Sequence, residues 1–180
     1  MARQKGFFIS LEGGEGAGKS TQNRRIVDWL SAHGQTVVET REPGGTIVSE
    51  QIRKVLLDTR NAGLNPTAEL LMMFAARSQL VQEVILPALS EGKVIVCDRF
   101  ADASYAYQGG GRGIDESRIA DLEQWVQGDL RPDLTLLLDM PTVEGLERAG
   151  KRSAPDRFEQ EKQEFFEKVR QCYLQRAERY

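Results

Sequence analysis

Four short stretches of the chain are apolar or β-branched without strict alternation: Phe7 to Glu12, Thr36 to Thr40, Val94 to Cys97 and Leu134 to Met140. Runs of this length and content predict strands buried on both faces, as in a parallel sheet. Helical spacing of apolar positions fills the intervals: Ser20 to Ala32 with Ile26, Val27 and Leu30, Thr46 to Leu57, Thr67 to Glu91, Ser117 to Gln127, Thr142 to Arg152 and Phe158 to Arg179. Pro87 is expected to kink or interrupt the third of these near its end. Strands alternating with helices predict an α/β fold with a parallel sheet covered by helices on both faces. There is no internal repeat and no linker, so residues 1–180 read as a single domain. Two glycine-rich loops stand out, Pro43 to Thr46 and Gly109 to Gly113.

Composition narrows the class. The 180 residues are 40% hydrophobic and 28% charged, which supplies a core and excludes a disordered, collagen-like or coiled-coil chain. Net charge is −3, so no general positive field would draw the protein to nucleic acid or an anionic membrane. Neither is expected as a partner, and any anion must be held locally. Of the 24 basic residues 17 are arginine, whose planar fork matches phosphate and carboxylate. The early apolar run, Phe7 to Leu11, is too short for a signal h-region or a membrane span. Cys97 and Cys172 are far apart and His33 is the only histidine, so neither a disulfide framework, a zinc site nor Ser–His chemistry is readable. The expected compartment is the reducing cytoplasm.

The sharpest local signal is Gly13-Gly14-Glu15-Gly16-Ala17-Gly18-Lys19-Ser20, which fits GxxxxGK[ST] directly after a predicted strand and opens a predicted helix. Glycines let backbone N–H groups face a phosphate chain, the helix N-terminus adds positive dipole, Lys19 suits the β- and γ-phosphates, and the Ser20 hydroxyl suits Mg²⁺. This predicts an anionic triphosphate bound with Mg²⁺. The third apolar run ends in Asp98-Arg99, placing Asp98 where an acid would polarise the metal's water shell. An arginine beside that acid suits an acceptor that itself carries a phosphate. No NKxD guanine-reading motif is present.

Together with Thr40-Arg41-Glu42-Pro43-Gly44-Gly45-Thr46, Asp98-Arg99-Phe100 and Ala106-Tyr107-Gln108-Gly109-Gly110-Gly111-Arg112-Gly113, the loop from Leu11 to Thr21 resembles the bacterial thymidylate kinases. The resemblance runs from Phe7 to Arg179. It implies the P-loop nucleoside monophosphate kinase fold with a helical lid at about residues 147–157, the reaction ATP + dTMP giving ADP + dTDP for dTTP synthesis, dependence on Mg²⁺, and a homodimer. It also implies roles. Gly13 to Thr21 would hold ATP, and Glu15 would accept the 3′-hydroxyl of the acceptor sugar. Arg99 would clamp the acceptor phosphate, assisted by Arg41 and Arg53. Arg77 would reach O4 of thymine, Ser104 and Gln108 the pyrimidine edge, and Tyr107 the sugar, where it crowds a 2′-hydroxyl. The family's base-covering aromatic stands four residues before the arginine. Met73 holds that place here and Phe74 is three before, so either side chain could cover the base. In one subclass a catalytic arginine lies in the P-loop; Gly16 stands there in this chain, and the lid would supply it instead. Arg152 is the assigned residue, with Arg148 and Arg157 as alternatives.

The family's fifth strand and final helix are not readable, which predicts that the natural chain continues beyond Tyr180 and carries part of the adenine pocket there. Two rival functions are compatible with the P-loop: another nucleoside monophosphate kinase, and a nucleotide-binding switch without an acceptor.

Overall fold

The computed structural model describes residues 6–151 and 156–179. Strands β1 (Phe7–Glu12), β2 (Val37–Arg41), β3 (Val94–Asp98) and β4 (Leu134–Leu137) form a parallel sheet in the order β2-β3-β1-β4. Register brings Leu11 and Arg41 level with Asp98 on the two sides of β3. The loops leaving three neighbouring strands therefore start from one edge, the place where open parallel sheets bind ligands.

Successive residues of the central strands feed opposite faces. Phe8, Ile95 and Cys97 pack with Leu80, Val81, Ile85 and Phe100 on one side, while Ile9, Leu11, Val94 and Val96 pack with Ile26, Val27 and Leu30 on the other. Helix α1 (Lys19–Ala32) covers the second face, and α3 (Pro66–Leu80) covers the first. Helix α2 (Ile47–Leu57) starts where the Thr46 hydroxyl accepts the Ser49 N–H at 3.1 Å. Asn65 caps α3 in the same way through Thr67 N–H. At α1, by contrast, Gly18 offers no side chain to the first turn; the Thr21 and Gln22 N–H groups donate to Gly18 O, and the N–H groups before them are the ones an anion can take.

Beyond Leu80 the same helix passes through a π-helical segment, Val81–Ile85, into α4 (Leu86–Ser90). Pro87 lacks the N–H for a regular turn, and the widened segment just before it absorbs the defect without ending the helix. After β3 come α5 (Ala101–Ser104), a second π-helical segment (Tyr105–Gly111) and α6 (Glu116–Gln127). After β4 come α7 (Thr142–Gly150) and α8 (Gln163–Arg179). A third apolar cluster lies off the sheet, where Phe165, Phe166, Val169 and Tyr173 of α8 meet Tyr105, Tyr107 and Ile119.

Three expectations change. Gly109 to Gly111 are not loop but helical, and the reason is close packing: a Cβ on Gly110 would lie 2.8 Å from the Cys172 Cβ, and one on Gly111 2.3 Å from the Phe165 ring. The last helix begins at Gln163, because the Asp156 carboxylate holds the Phe158 and Glu159 N–H groups in a turn that buries the Phe158 ring. Strand β4 ends at Leu137; beyond it the Asp139 carboxylate is taken by Arg170 of α8 at 2.7 Å. No helix among the described residues is long and apolar enough to cross a membrane.

Candidate active site

The strand ends and the helices above them enclose a cavity of about 510 Å³. Glu15 to Thr21 form one wall, and Arg41, Arg53, Arg77, Asp98, Arg99, Ser104, Tyr107 and Gln108 line the rest. Residues spread over 94 positions of sequence thus share one space, since all of them leave the same edge of the sheet or face it from α2, α3 and the Tyr105–Gly111 segment.

In the phosphate loop Lys19 is buried and donates to the Gly13 and Gly14 carbonyls at 3.0 and 2.8 Å. Burial, with Arg99 adding to it, pulls its pKa down to about 8. An anion entering the loop would restore the charged form. Gly16 has φ of 67°, and a Cβ there would sit 2.0 Å from the Gly145 carbonyl of α7. The loop can carry no side chain at this position, so a cation for the transferring group cannot come from it.

Asp98 closes β3, and its Oδ1 is buried with no hydrogen-bond partner among the described residues. A buried carboxylate oxygen left unmatched is costly unless something fills the gap. Among the described residues no three His, Cys, Asp or Glu side chains group as a metal cage. One open carboxylate and the Ser20 hydroxyl on the same cavity are instead the donor set of Mg²⁺, which keeps waters and takes its remaining oxygens from phosphates. The residues fit that ion.

Arg99 is next, with φ of 70°, a left-handed conformation that non-glycine residues seldom adopt and that must be held by its surroundings. Its backbone N–H donates to Leu11 O, and its guanidinium donates to Gly13 O at 2.9 Å, Glu15 at 2.8 Å, and the hydroxyls of Tyr107 and Tyr173 at 2.9 and 3.0 Å. Tyr107 donates in turn to Glu15 at 2.8 Å. Tyr173 donates to the buried Glu12, whose other oxygen takes the Phe100 N–H. Arg99, Glu15 and Tyr107 are thus one connected group facing the cavity, braced from behind by Glu12 and Tyr173.

Arg77 makes a bidentate pair with Glu42, 2.7 Å at the shortest, and also donates to Phe100 O and Ser104 Oγ. Its Nη1 is buried and unmatched among the described residues, a donor free for a ligand carbonyl. Gln108 lines the same wall with its Nε2 committed to Glu69 at 2.9 Å. Arg53 donates to Pro43 O, and Arg41 pairs with Glu50 at 3.0 Å at the cavity mouth. Of the two candidates for covering a base, Met73 lines the cavity, while Phe74 is packed in the core under the Arg77 guanidinium, 4.6 Å from its ring centre.

The lid candidates separate. Arg152 lies outside the described residues. Arg148 lines the cavity. Arg157 does not fit the role: it is buried, donates to Glu69 at 2.6 Å and to Leu56 O at 2.6 Å, and its backbone N–H meets Leu57 O. It is committed to the protein frame. Glu69, Glu12 and Tyr173 were not foreseen from the sequence. Glu69 did leave a signal, as a carboxylate opening the apolar run Leu70-Leu71-Met72-Met73-Phe74.

Comparison with known proteins bears directly on this geometry. The family model described as Thymidylate kinase matches residues 11–180. The chain is 59% identical over 173 residues to a protein named Thymidylate kinase from Pseudomonas putida, covering 96% of this chain and 82% of that one. It is likewise 59% identical over 172 residues to the Thymidylate kinase of Ectopseudomonas mendocina. The crystal structure of thymidylate kinase from Ehrlichia chaffeensis superposes with a TM-score of 0.80 at 34% identity, covering 97% of this chain and 88% of that one. With the phosphate loop, the acidic strand end and the Arg77–Arg99 wall assembled on one parallel sheet, this chain belongs to the thymidylate kinase family.

Proposed function

We propose that the protein is a dTMP kinase, transferring the γ-phosphoryl group of ATP to the 5′-phosphate of dTMP to give dTDP and ADP. The observation that carries this reading is the single cavity with two unlike ends. One end is the phosphate loop with Lys19 and the open Asp98 carboxylate; the other offers the unmatched Arg77 Nη1 beside Ser104 and Gln108, with Arg99 between them.

In this reading the N–H groups of the Gly13 to Thr21 loop and the Lys19 ammonium bind the donor's phosphates, while Ser20 and Asp98 would hold Mg²⁺. The ion would supply charge neutralisation on the phosphates. Arg99, oriented by Glu15, Tyr107 and Tyr173, fixes the acceptor phosphate in line, with Arg41 and Arg53 assisting from the mouth. Glu15 and Tyr107 meet the sugar, Arg77 donates to O4 of thymine, Ser104 and Gln108 meet its edge, and Met73 covers the base in place of Phe74. Arg152 delivers the last cation when a lid at about residues 147–157 closes. Residues 1–180 act as one domain. Positioning and electrostatic stabilisation account for the chemistry, since phosphoryl transfer needs little covalent help.

The working state is a cytoplasmic homodimer. Helices α2, α3 and α6 pack as a layer whose outer side exposes Ile47, Val48, Leu71 and Trp125, apolar area that a second copy would cover.

The test is a coupled ADP-release assay with dTMP, dUMP, UMP, CMP, GMP and AMP as acceptors. We expect dTMP to be preferred, dUMP accepted and ribonucleotides poor. Preference for another monophosphate would replace the substrate, and slow ATP hydrolysis indifferent to every acceptor would replace the kinase by a switch. Equal kcat/KM for UMP and dUMP would remove Tyr107 as the 2′-hydroxyl filter.

A further inference from the structure

Glu69 is fully buried, and among the described residues its carboxylate is met by side-chain donors. Its Oε1 accepts from Gln108 Nε2 at 2.9 Å and Arg112 Nε at 3.2 Å; its Oε2 accepts from Arg112 Nη2 at 3.1 Å and Arg157 Nη2 at 2.6 Å. With two guanidinium groups upon it, this carboxylate can only accept. An amide side chain carries a donor end and an acceptor end, and its neighbours decide which end faces which way. Glu69 takes the donor end of Gln108. The Oε1 of Gln108 is left as the end offered to the cavity that Gln108 lines.

We propose that Glu69 is a positioning residue for base selection: by holding the Gln108 amide one way round, it makes the cavity read a pyrimidine with a ring N–H donor and reject one with a bare ring nitrogen. The inference rests on the reading of Gln108 as a base-edge contact. Thymine and uracil present acceptor, donor, acceptor along O2, N3–H and O4. Arg77 Nη1 supplies a donor, suited to O4, and Gln108 Oε1 an acceptor, suited to N3–H. Cytosine reverses both positions, so its N3 lone pair would face the Gln108 oxygen and its amino group the arginine. Such mismatches in a buried site reject more strongly than a missing contact does.

A Glu69→Gln variant turns the logic round. Arg112 and Arg157 retain the new amide's oxygen, its NH₂ then faces Gln108, and Gln108 must present its own oxygen inward and its NH₂ to the cavity. The experiment measures kcat/KM for dTMP and dCMP in the wild type, Glu69→Gln, Glu69→Asp and Gln108→Leu. We expect the dTMP:dCMP ratio to fall about 10-fold in Glu69→Gln, one hydrogen bond's worth, chiefly through the two KM values. Glu69→Asp is still acceptor-only and should keep the ratio within about 2-fold even if its melting temperature drops as far. A purely structural role would lower the melting temperature of both variants and leave the ratio alone. If Glu69→Gln does not fold, the charge-balanced pair Glu69→Gln with Arg157→Gln takes its place, with the same expected ratio. An unchanged ratio in Gln108→Leu would show that Gln108 does not read the base, which defeats the underlying reading. A lowered ratio in Gln108→Leu with an unchanged one in Glu69→Gln or its paired form overturns the proposal alone.

Discussion

Arg99 with Glu15 and Arg157 with Glu69 are both arginine–glutamate pairs closer than 3 Å, at 2.8 and 2.6 Å. In the first pair the side chains keep 15% and 17% exposure and both line the cavity; in the second they keep 3% and 0%, and neither lines it. Arg99 spreads its guanidinium over a glutamate, a backbone carbonyl and two tyrosine hydroxyls, all groups from which an incoming phosphate can draw donors away. Arg157 spends its own on Glu69 and a helix-end carbonyl, buried away from the cavity lining. What separates an arginine that reads a ligand from one that holds a frame is thus access and exchangeable partners, not ion pairing. Arg77 stands between the two: paired with Glu42 like a frame residue, it lines the cavity and retains one buried N–H unmatched among the described residues.

The two arginines should therefore fail in different ways. Arg99→Ala should lower kcat/KM for dTMP by about 10³-fold, because it removes a charge contact to the acceptor and leaves Glu15 to repel the phosphate. Its melting temperature should move little, since the pair is open to the cavity. Arg157→Met should do the opposite. It removes one of the two guanidinium groups on the buried Glu69 and leaves Arg112 as its cation, and stability in denaturant should fall by about 2 kcal/mol, with kcat at saturating substrates within about 3-fold of wild type. Urea unfolding beside steady-state kinetics checks both, and a collapse of kcat in folded Arg157→Met would return that residue to the catalytic group.

The lid sharpens the same contrast. Gly16 has no room for a side chain and Arg157 is spent, so the proposed mechanism assigns the cation for the transferring phosphoryl to Arg152, with Arg148 as the alternative on the cavity. Arg152→Ala should lower kcat at least about 10²-fold with little change in KM for dTMP, the pattern of a contact made mainly in the transition state. Arg148→Ala should do less. The reverse order, measured under saturating ATP, would move the role to Arg148.

These assignments also mark how far the sequence could be read. That the phosphate loop, Asp98 and Arg99 share one cavity was legible because their pattern is local: a few consecutive residues at a strand end declare both geometry and charge. Strand β1 was legible over its whole span, Phe7–Glu12, and helix α1 to within one residue, since buried runs and helical spacing carry their own period. What was not legible joins distant positions. Glu69 meets Arg157 across 88 residues, Glu12 meets Tyr173 across 161, and Arg77 meets Glu42 across 35. Without the fold, Arg157 looks like any arginine in a charged stretch, and Tyr173 like one more apolar position on α8. The glycines at 110 and 111 misled for a related reason: glycine marks a loop in one dimension, while here it marks where two helices touch.

The smallest effect concerns the buried rear of the Arg99 group. Glu12 is walled in by the sheet, accepts from Phe100 N–H at 2.7 Å and Tyr173 at 2.9 Å, and reaches Arg99 only through that tyrosine. Burial, with Asp102 adding to it, raises its pKa from 4.5 to about 8. Between those values the folded protein holds a proton that the unfolded chain has released, so stability falls as pH rises through this window. The contribution is complete below about pH 4.5 and gone above about pH 8. Glu12→Gln keeps the shape and stays neutral throughout. The melting temperature of the wild type should therefore drop by about 7 °C or more relative to that of the variant between pH 5 and 8, given roughly 2 to 4 °C per kcal/mol for a domain of this size. Parallel curves would mean that Glu12 is charged at neutral pH, so that the Phe100 and Tyr173 donors together with Arg99 outweigh its burial. The buried brace would then be electrostatically one with the exposed cluster it supports, and the line drawn between cavity and frame would have to run behind Glu12 instead of in front of it.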